Sequence, residues 1–215
     1  MKAVGEVIVV GPGLTGRKVR DLMGYAGNPM GSYAEEQILP AKKVVPLPPS
    51  IDPIVVASII LKGMAAQFLL RRCFKVEPGH TILVHAAAGG VGFLLCQWAN
   101  AFGATVIGTV SAKEKAAQAR DDGCHHVIIY KEEDFVARVN EITSGKWVDV
   151  VYDSVGKDTF QEDNAQVEID SENLMMDMIQ LSRLLDHKEG WCFNCVYVCK
   201  CIFSCSLLIV LLVNL

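Results

Sequence analysis

Apolar and polar residues alternate in a regular way between residues 79 and 153. Four short apolar runs have the length and content of buried strands: residues 81–86, 105–110, 127–130 and 148–152. Three segments between them have the spacing of helices: residues 91–102, 113–122 and 132–143. Strands that alternate with helices form right-handed crossovers and a parallel sheet covered on both faces. The pattern therefore predicts a doubly wound α/β fold.

The first 73 residues follow a different pattern. Three short apolar segments, residues 4–10, 33–39 and 44–45, are predicted strands. A helix is predicted to start after Asp52, because its carboxylate can accept from free amides and Pro53 needs no amide partner. Residues 54–73 are almost continuously apolar, which predicts a helix buried on most sides, and Gly63 within it indicates close packing.

The turn after the strand 81–86 carries the strongest chemical signal. It reads His-Ala-Ala-Ala-Gly-Gly-Val-Gly and leads into a helix, which is the context of a dinucleotide-binding turn. Gly89 is expected to admit a pyrophosphate, Gly92 to allow close packing of helix and sheet, and Ala87 takes the usual first-glycine position. The free amides of the helix N-terminus attract phosphates. The alternative is a tight strand–helix turn without a ligand.

The end of the strand 105–110 separates two cofactor classes. NAD enzymes place an acid about 20 residues after the glycines, and no acid lies on this strand. Ser111, Lys113 and Lys115 follow it, and a hydroxyl with two lysines suits a 2′-phosphate. The sequence therefore favours NADPH over NADH. The alternative is that both lysines are only solvated positions of a helix.

The alternation stops after Gln161. Residues 171–185 are expected to form one amphipathic helix, and no further strand–helix pair follows. A complete dinucleotide-binding sheet has about six strands, so this sheet is expected to end two strands short. That leaves an unpaired strand at 148–152, which is a predicted aggregation site.

The apolar tail, residues 191–213, is long enough to span a bilayer, which takes about 20 apolar residues. Lys200 near its middle would cost about 2.5–3.5 kcal/mol there. The spacing of its five cysteines (Cys192, Cys195, Cys199, Cys201 and Cys205) lacks the paired knuckles of a zinc site. We favour an abnormal end, such as an altered splice or gene model produces, over a membrane anchor or a metal site.

Composition narrows the class of protein. Half of the 215 residues are apolar and a fifth are charged, which indicates a globular chain. The net charge of −4 gives no reason to expect a nucleic acid partner. Scattered cysteines at 73, 96 and 124 are typical of buried thiols in a reducing compartment, and the N-terminus lacks the pattern of a signal peptide. We therefore expect a cytoplasmic protein, with membrane association through the tail as the alternative.

Several stretches together resemble the zinc-free quinone oxidoreductases, the zeta-crystallin-like branch of the medium-chain dehydrogenase/reductase superfamily. The matching segments are residues 31–35, 61–64, 85–92, 96–99, 107–110 and 151–156, within a resemblance that runs from about residue 3 to residue 161. It implies that residues 1–50 are the remnant of a GroES-like β-barrel lobe. It further implies that residues 51–161 are a partial NADP-binding Rossmann domain and residues 162–215 an atypical extension, apolar and cysteine-rich from residue 191.

The resemblance also implies the cofactor contacts. Gly90 and Val91 would meet the pyrophosphate, and Ser111 and Lys115 the 2′-phosphate. Tyr130 and Ser154 would line the adenosine and ribose path, and Phe68 would lie near the nicotinamide. The family transfers hydride mainly by positioning its reactants, so no catalytic acid or base and no metal ligand is assigned. His125 and His126 are neighbours at a strand start, where successive side chains point to opposite faces and do not share an ion.

Three positions depart from the family pattern. Arg20 stands where relatives usually have glycine, Ala65 where they have a cofactor-contacting threonine, and Trp147 where they have a small residue. The family pattern is also expected to be truncated at both ends, without its dimer-forming edge. The hypotheses are an NADPH-dependent quinone oxidoreductase acting on a small-molecule quinone or enone, a catalytically silent NADPH-binding fragment, and a membrane-associated protein.

Overall fold

The computed structural model describes residues 1–154, 176–177 and 208–212. The chain divides into two compact units, Met1–Met64 with Tyr197–Leu215 and Ala65–Val196. The sequence-based division at residues 50 and 161 stays a prediction.

The strands and helices of the described residues have the following bounds. The strands are β1 Lys2–Val10, β2 Leu22–Ala26, β3 Glu36–Pro40, β4 Val45–Pro46, β5 Thr81–Val84, β6 Thr105–Val110, β7 His126–Ile129, β8 Val150–Asp153, β9 Met176–Asp177 and β10 Leu208–Leu212. The helices are α1 Pro53–Phe68, α2 Gly92–Ala101, α3 Lys113–Asp121 and α4 Phe135–Thr143. A 3₁₀ turn covers Ala41–Lys43, and a π-helical turn, Leu69–Cys73, continues α1.

The first unit contains an antiparallel sheet in the order β3-β10-β1-β2-β4. The strand predicted at 4–10 is confirmed within β1. The strand predicted at 33–39 starts later, at Glu36, because residues 31–34 form a turn in which the Ala34 amide donates to the Gly31 carbonyl. β2 was not predicted from the sequence, because Gly24 interrupts its apolar run. A Cβ built on Gly24 would lie 3.0 Å from Ile60 Cδ1 of α1, so the helix packs against this strand at the glycine.

The start of α1 agrees with the sequence. The Asp52 carboxylate accepts from the Ile54 amide at 2.7 Å, as expected of a capping residue. The predicted burial is wrong, because Ile54 is 77% exposed and Val55 and Ile59 are also exposed. The prediction of close packing at Gly63 is wrong as well, since a Cβ built there meets no atom within 4 Å. Among the described residues, Pro53–Cys73 is the one helical segment long and apolar enough to cross a membrane, a test that core helices of soluble proteins and signal sequences also pass.

The second unit contains a parallel sheet in the order β7-β6-β5-β8-β9. Alternate residues of the same strand enter two different cores. One core joins Ile82 and Val84 of β5 to apolar residues of α2 and α3. The other joins Leu83 of the same strand to Phe135 and Val139 of α4. Helices therefore cover both faces, and the doubly wound α/β fold predicted from the sequence is confirmed.

The predicted end of this sheet is wrong. β9 pairs in parallel with β8 through Tyr152↔Met176 and Asp153↔Asp177. Met176–Asp177 is a strand and not part of the amphipathic helix expected over residues 171–185, whose other residues lie outside the described ones. The edge of β8 is thus paired over its last two residues, and within the described chain it is open only before Tyr152.

The end of the tail also forms a strand instead of the helix that a membrane anchor would need. β10 lies between β1 and β3, antiparallel to both, and its backbone is extended. A membrane-spanning helix over 191–213 is therefore wrong for residues 208–212. The remainder of that segment, with the five cysteines, lies outside the described residues.

Candidate dinucleotide-binding site

The turn between β5 and α2 is held on the sheet by backbone hydrogen bonds. The Ala87 amide donates to the Thr109 carbonyl of β6 at 3.0 Å, and the Gly89 amide donates to the Ala86 carbonyl at 2.7 Å. Ala86 has a φ of 51°, in the left-handed region that a tight reversal of the chain requires. The turn therefore has a defined shape before any ligand binds.

Two glycines of this turn have no space for a side chain. A Cβ on Gly89 would lie 2.8 Å from the Ala86 carbonyl oxygen, and one on Gly92 would lie 2.7 Å from the Ala87 carbonyl oxygen. Both glycines are thus required by the carbonyls of the turn itself. Gly92 is buried and begins α2, which agrees with its predicted role in close packing.

Ala87 fits at the usual first-glycine position because the neighbouring strand leaves room for it. A Cβ built on Gly108 of β6 would lie 2.7 Å from the Ala87 Cβ. The methyl group of Ala87 thus occupies the space above Gly108. The turn has an alanine at its usual glycine position, and the neighbouring strand has a glycine that makes room for it. The pairing of Ala87 with Gly108 can be recognised in the sequence only when β5 and β6 are known to be neighbours.

The N-terminus of α2 has free hydrogen-bond donors. Within residues 1–154, the amides of Gly90, Val91 and Gly92 donate to no carbonyl, and no side chain caps the helix at Val91. Gly90 is exposed. Free amides at a helix start carry a partial positive charge and bind anions. This geometry suits a diphosphate.

The carboxyl end of β6 carries the residues predicted to bind a 2′-phosphate. Ser111 is half-buried directly after the strand, and Lys115 is exposed in the first turn of α3. Lys113 lies 3.5 Å from the Glu132 carboxylate and forms an ion pair, whereas Lys115 has no ion pair in the described part of the chain. Of the two lysines, Lys115 is therefore the one whose charge is available.

Tyr130 and Ser154 follow the ends of two further parallel strands. The Tyr130 amide donates to the Val110 carbonyl at 3.2 Å, which places Tyr130 beside the end of β6. Ser154 is exposed and directly follows Asp153, the last residue of β8. Since the carboxyl ends of parallel strands lie at one edge, the structure brings these residues to the edge that carries the glycine turn.

Phe68 reaches the same region through the end of α1. It is partly buried and precedes Leu69, whose carbonyl accepts from the Tyr152 hydroxyl at 3.4 Å. Burial raises the pKa of Tyr152, so its hydroxyl stays protonated and remains a donor. The contact ties the helix end to β8, next to the strand end that Ser154 follows.

A polar group beneath the turn was not predicted from the sequence. His85 Nδ1 lies 2.9 Å from Thr109 Oγ1, both residues are buried, and the His85 ring meets Phe135 edge-on at 5.1 Å. Asp153 is also fully buried. The sequence signal for this group is the presence of polar residues at the ends of otherwise apolar strands. Such residues are buried only when they have hydrogen-bond partners.

His125 has a structural role in this fold. Its Nδ1 accepts from the Val106 amide at 3.0 Å, at the start of β6. Among the residues that the structure describes, no group of three metal-ligating side chains comes together.

Comparisons with known proteins show which family the chain resembles. Residues 90–170 match the family model of the zinc-binding dehydrogenases. The chain is 49% identical over 163 residues to 2-haloacrylate reductase from a Burkholderia species, covering 75% of this chain and 49% of that protein. It is 49% identical over 160 residues to a quinone oxidoreductase of Pseudomonas aeruginosa, covering 74% and 49%. Over about three quarters of its length, the chain resembles the quinone oxidoreductase branch of the medium-chain dehydrogenases and reductases.

Solved structures of this quinone oxidoreductase branch have the same fold. Escherichia coli quinone oxidoreductase complexed with NADPH superposes with a TM-score of 0.75 at 38% identity, covering 85% of this chain and 59% of that chain. A 2-haloacrylate reductase structure gives a TM-score of 0.74 at 47% identity, covering 77% and 52%. The chain spans about half the length of the curated relatives it matches. The resemblance deduced from the sequence is confirmed.

Proposed function

We propose that the chain binds NADPH at the carboxyl edge of the second unit's sheet and takes part in the reduction of a small-molecule quinone or enone. One observation carries the proposal. The amides of Gly90, Val91 and Gly92 are free at the start of a helix, beside a strand end without an acid.

The glycine turn would bind the diphosphate. Gly89 and Gly92 allow the tight turn to form around its own carbonyls, and in that shape the amides of Gly90 and Val91 stay free for phosphate oxygens. The partial positive charge of the α2 N-terminus adds to this attraction. Two phosphates with their negative charges are what such a turn accommodates best.

The end of β6 would select the phosphorylated cofactor. Ser111 can donate a hydroxyl hydrogen to the 2′-phosphate, and the Lys115 ammonium, which has no ion pair among the described residues, supplies a positive charge. A carboxylate at this strand end would repel the same phosphate. This arrangement favours NADPH over NADH.

The remaining residues would orient the cofactor. Tyr130 and Ser154 lie along the strand ends where the adenosine and ribose would run, and Phe68 marks the nicotinamide side. When bound, NADPH supplies a hydride to an electron-poor acceptor. This chain's residues would hold the two reactants close and exclude water, and none of them is assigned a proton to transfer.

The relatives' names support the substrate class. A quinone and a 2-haloacrylate, named in the matched reductases, both contain a carbon–carbon double bond conjugated to a carbonyl group. Such a bond accepts hydride at carbon. We therefore propose a conjugated carbonyl compound as substrate, acted on in the cytoplasm.

Fluorescence titration of the full chain with NADPH and NADH tests the cofactor. We expect Lys115→Ala to weaken NADPH binding about tenfold, since a hydrogen bond to a charged group contributes about 1.5–3 kcal/mol. NADH binding should change little. The matched control is Lys113→Ala, whose lysine is already paired with Glu132 and whose loss should cost about twofold or less. Equal effects of both variants on both nucleotides would contradict the assignment.

Measuring turnover distinguishes a reductase from a chain that binds NADPH without catalysis. NADPH oxidation is measured with NADPH and the acceptor, 1,4-benzoquinone or an acrylate, at a ratio of 1 to 1. The measurement uses the same preparation that binds NADPH. Binding with turnover supports the reductase. Binding without turnover instead supports a silent NADPH-binding chain.

A further inference from the structure

Two cysteines from different elements meet in the interior of the second unit. Cys96 lies in the middle of α2 and is fully buried, and Cys124 lies just before β7 and is 6% exposed. Their sulfur atoms are 3.3 Å apart in a thiol–thiol hydrogen bond, and both cysteines are free. A disulfide bond measures about 2.05 Å, so a closing movement of little more than 1 Å would join them.

The backbone at Cys124 is well held. The Cys124 amide donates to the Ala119 carbonyl of α3 at 3.0 Å, and Gly123 before it has a φ of 98°. The Cys124 sulfur packs over Gly108, where a Cβ would lie only 2.7 Å from it. The contact with Gly108 leaves little room on that side, so the Cys124 sulfur is directed toward Cys96.

The two thiols differ in their tendency to ionise. The hydrogen bond with Cys124, together with burial, raises the pKa of Cys96. The hydrogen bond that it shares with Cys96 lowers the pKa of Cys124, against smaller opposing effects of burial and of the Asp122 charge. Cys124 is also the more exposed of the two. Of the two, Cys124 is therefore the thiol that forms the thiolate more readily, and the thiolate is the reactive form.

We propose that Cys96 and Cys124 are a redox modification site, which a hydroperoxide converts into an intramolecular disulfide. The Cys124 thiolate attacks one peroxide oxygen, which breaks the O–O bond, forms a sulfenic acid and releases an alcohol or water after protonation. The Cys96 sulfur then attacks the Cys124 sulfur, an S–S bond forms, and the sulfenic oxygen leaves as water with the Cys96 proton. Two thiols are oxidised by two electrons and one peroxide is reduced.

The crosslink would connect the helix that starts at the glycine turn to the strand at the sheet edge. It closes a loop of about 29 residues, which reduces the freedom of the unfolded chain. The disulfide would thus stabilise the second unit under oxidising conditions. The competing interpretation is that both cysteines only fill the core as small apolar side chains.

Peptide mapping of the full chain after hydrogen peroxide treatment tests the proposal. Trypsin places Cys96 in the peptide 76–113 and Cys124 in the peptide 121–131, each with a single cysteine. We expect a crosslinked peptide about 2 Da lighter than the two reduced peptides together, lost after dithiothreitol. The melting temperature should rise by about 5 °C or more on oxidation.

Two variants control the experiment. Cys124→Ala should abolish both the crosslinked peptide and the rise in melting temperature, and Cys96→Ala provides the same check should the first variant fold poorly. Cys73→Ala removes a half-buried thiol outside the pair and should leave both results unchanged. The proposal is overturned if residues 96 and 124 stay reduced when Cys73 is oxidised, or if Cys124 pairs with a different cysteine.

Discussion

Arg20 occupies a backbone conformation that suits glycine. Its φ is 75°, its side chain is exposed, and its amide donates to the Val7 carbonyl at 2.8 Å. A left-handed conformation costs a residue with a Cβ about 1–2 kcal/mol. The family resemblance places glycine at this position, and the structure supplies the physical reason.

We expect Arg20→Gly to stabilise the first unit by about 0.5–1 kcal/mol. The relief of the left-handed conformation exceeds the extra freedom that glycine gains in the unfolded chain, and the hydrogen bond to Val7 needs only the amide. Urea denaturation of the full chain measures the change. The control is Lys18→Gly in the same loop, where φ is not positive and glycine should destabilise. Equal changes for both variants would refute the argument.

The start of α4 shows how one side chain sets the boundary of an element. The sequence pattern predicts a helix from residue 132, but α4 begins at Phe135. The amides of Glu132 and Glu133 donate to the Ile129 carbonyl in a turn, and the Asp134 carboxylate accepts from the Val136 and Ala137 amides at 3.0 and 3.2 Å. A side chain in that position ends the turn and begins the helix.

Asp134→Ala should lower the free energy of unfolding by about 1 kcal/mol, because two amides at the helix start lose their acceptor. Guanidinium denaturation followed by circular dichroism gives the difference. Asp134→Asn keeps an oxygen acceptor and should retain most of the stability. A loss as large in the asparagine variant as in the alanine variant would show that the carboxylate acts in another way.

At the scale of the whole molecule, the two ends of the chain meet in one sheet. β10 inserts between β1 and β3, and Val210 pairs with Val9 on one side and Ile38 on the other. Without β10, two strand edges of the first unit would lack partners. Unpaired edges invite association with other chains, so the tail strand has a protective role in this fold.

Val210→Pro tests that role. Proline has no amide donor and is excluded from central strands, so we expect a loss of about 2 kcal/mol and faster amide exchange in β1 and β3. Val210→Thr keeps the amide and a β-branched side chain and should preserve the protection. Identical hydrogen exchange in the proline variant and the parent would exclude β10 from the sheet.

Local patterns in the sequence were enough to predict the second unit's alternating strands and helices, the glycine turn and the acid-free end of β6. These features depend on the spacing of residues close together in the chain, which determines the burial of each element and the conformation of each turn. The capping role of Asp52 at the start of α1 was predictable for the same reason, since the amide from which it accepts is only two residues away.

Only the tertiary structure decided which distant residues meet. Gly108 makes room for Ala87, Cys124 reaches Cys96, and the tail strand pairs with β1, although none of these partners is marked by sequence spacing. The same reason explains the wrong prediction for α1, because apolar composition measures a tendency to be buried and does not reveal what lies beside the helix. Contacts between elements depend on the packing of the whole chain, which periodicity along it does not contain.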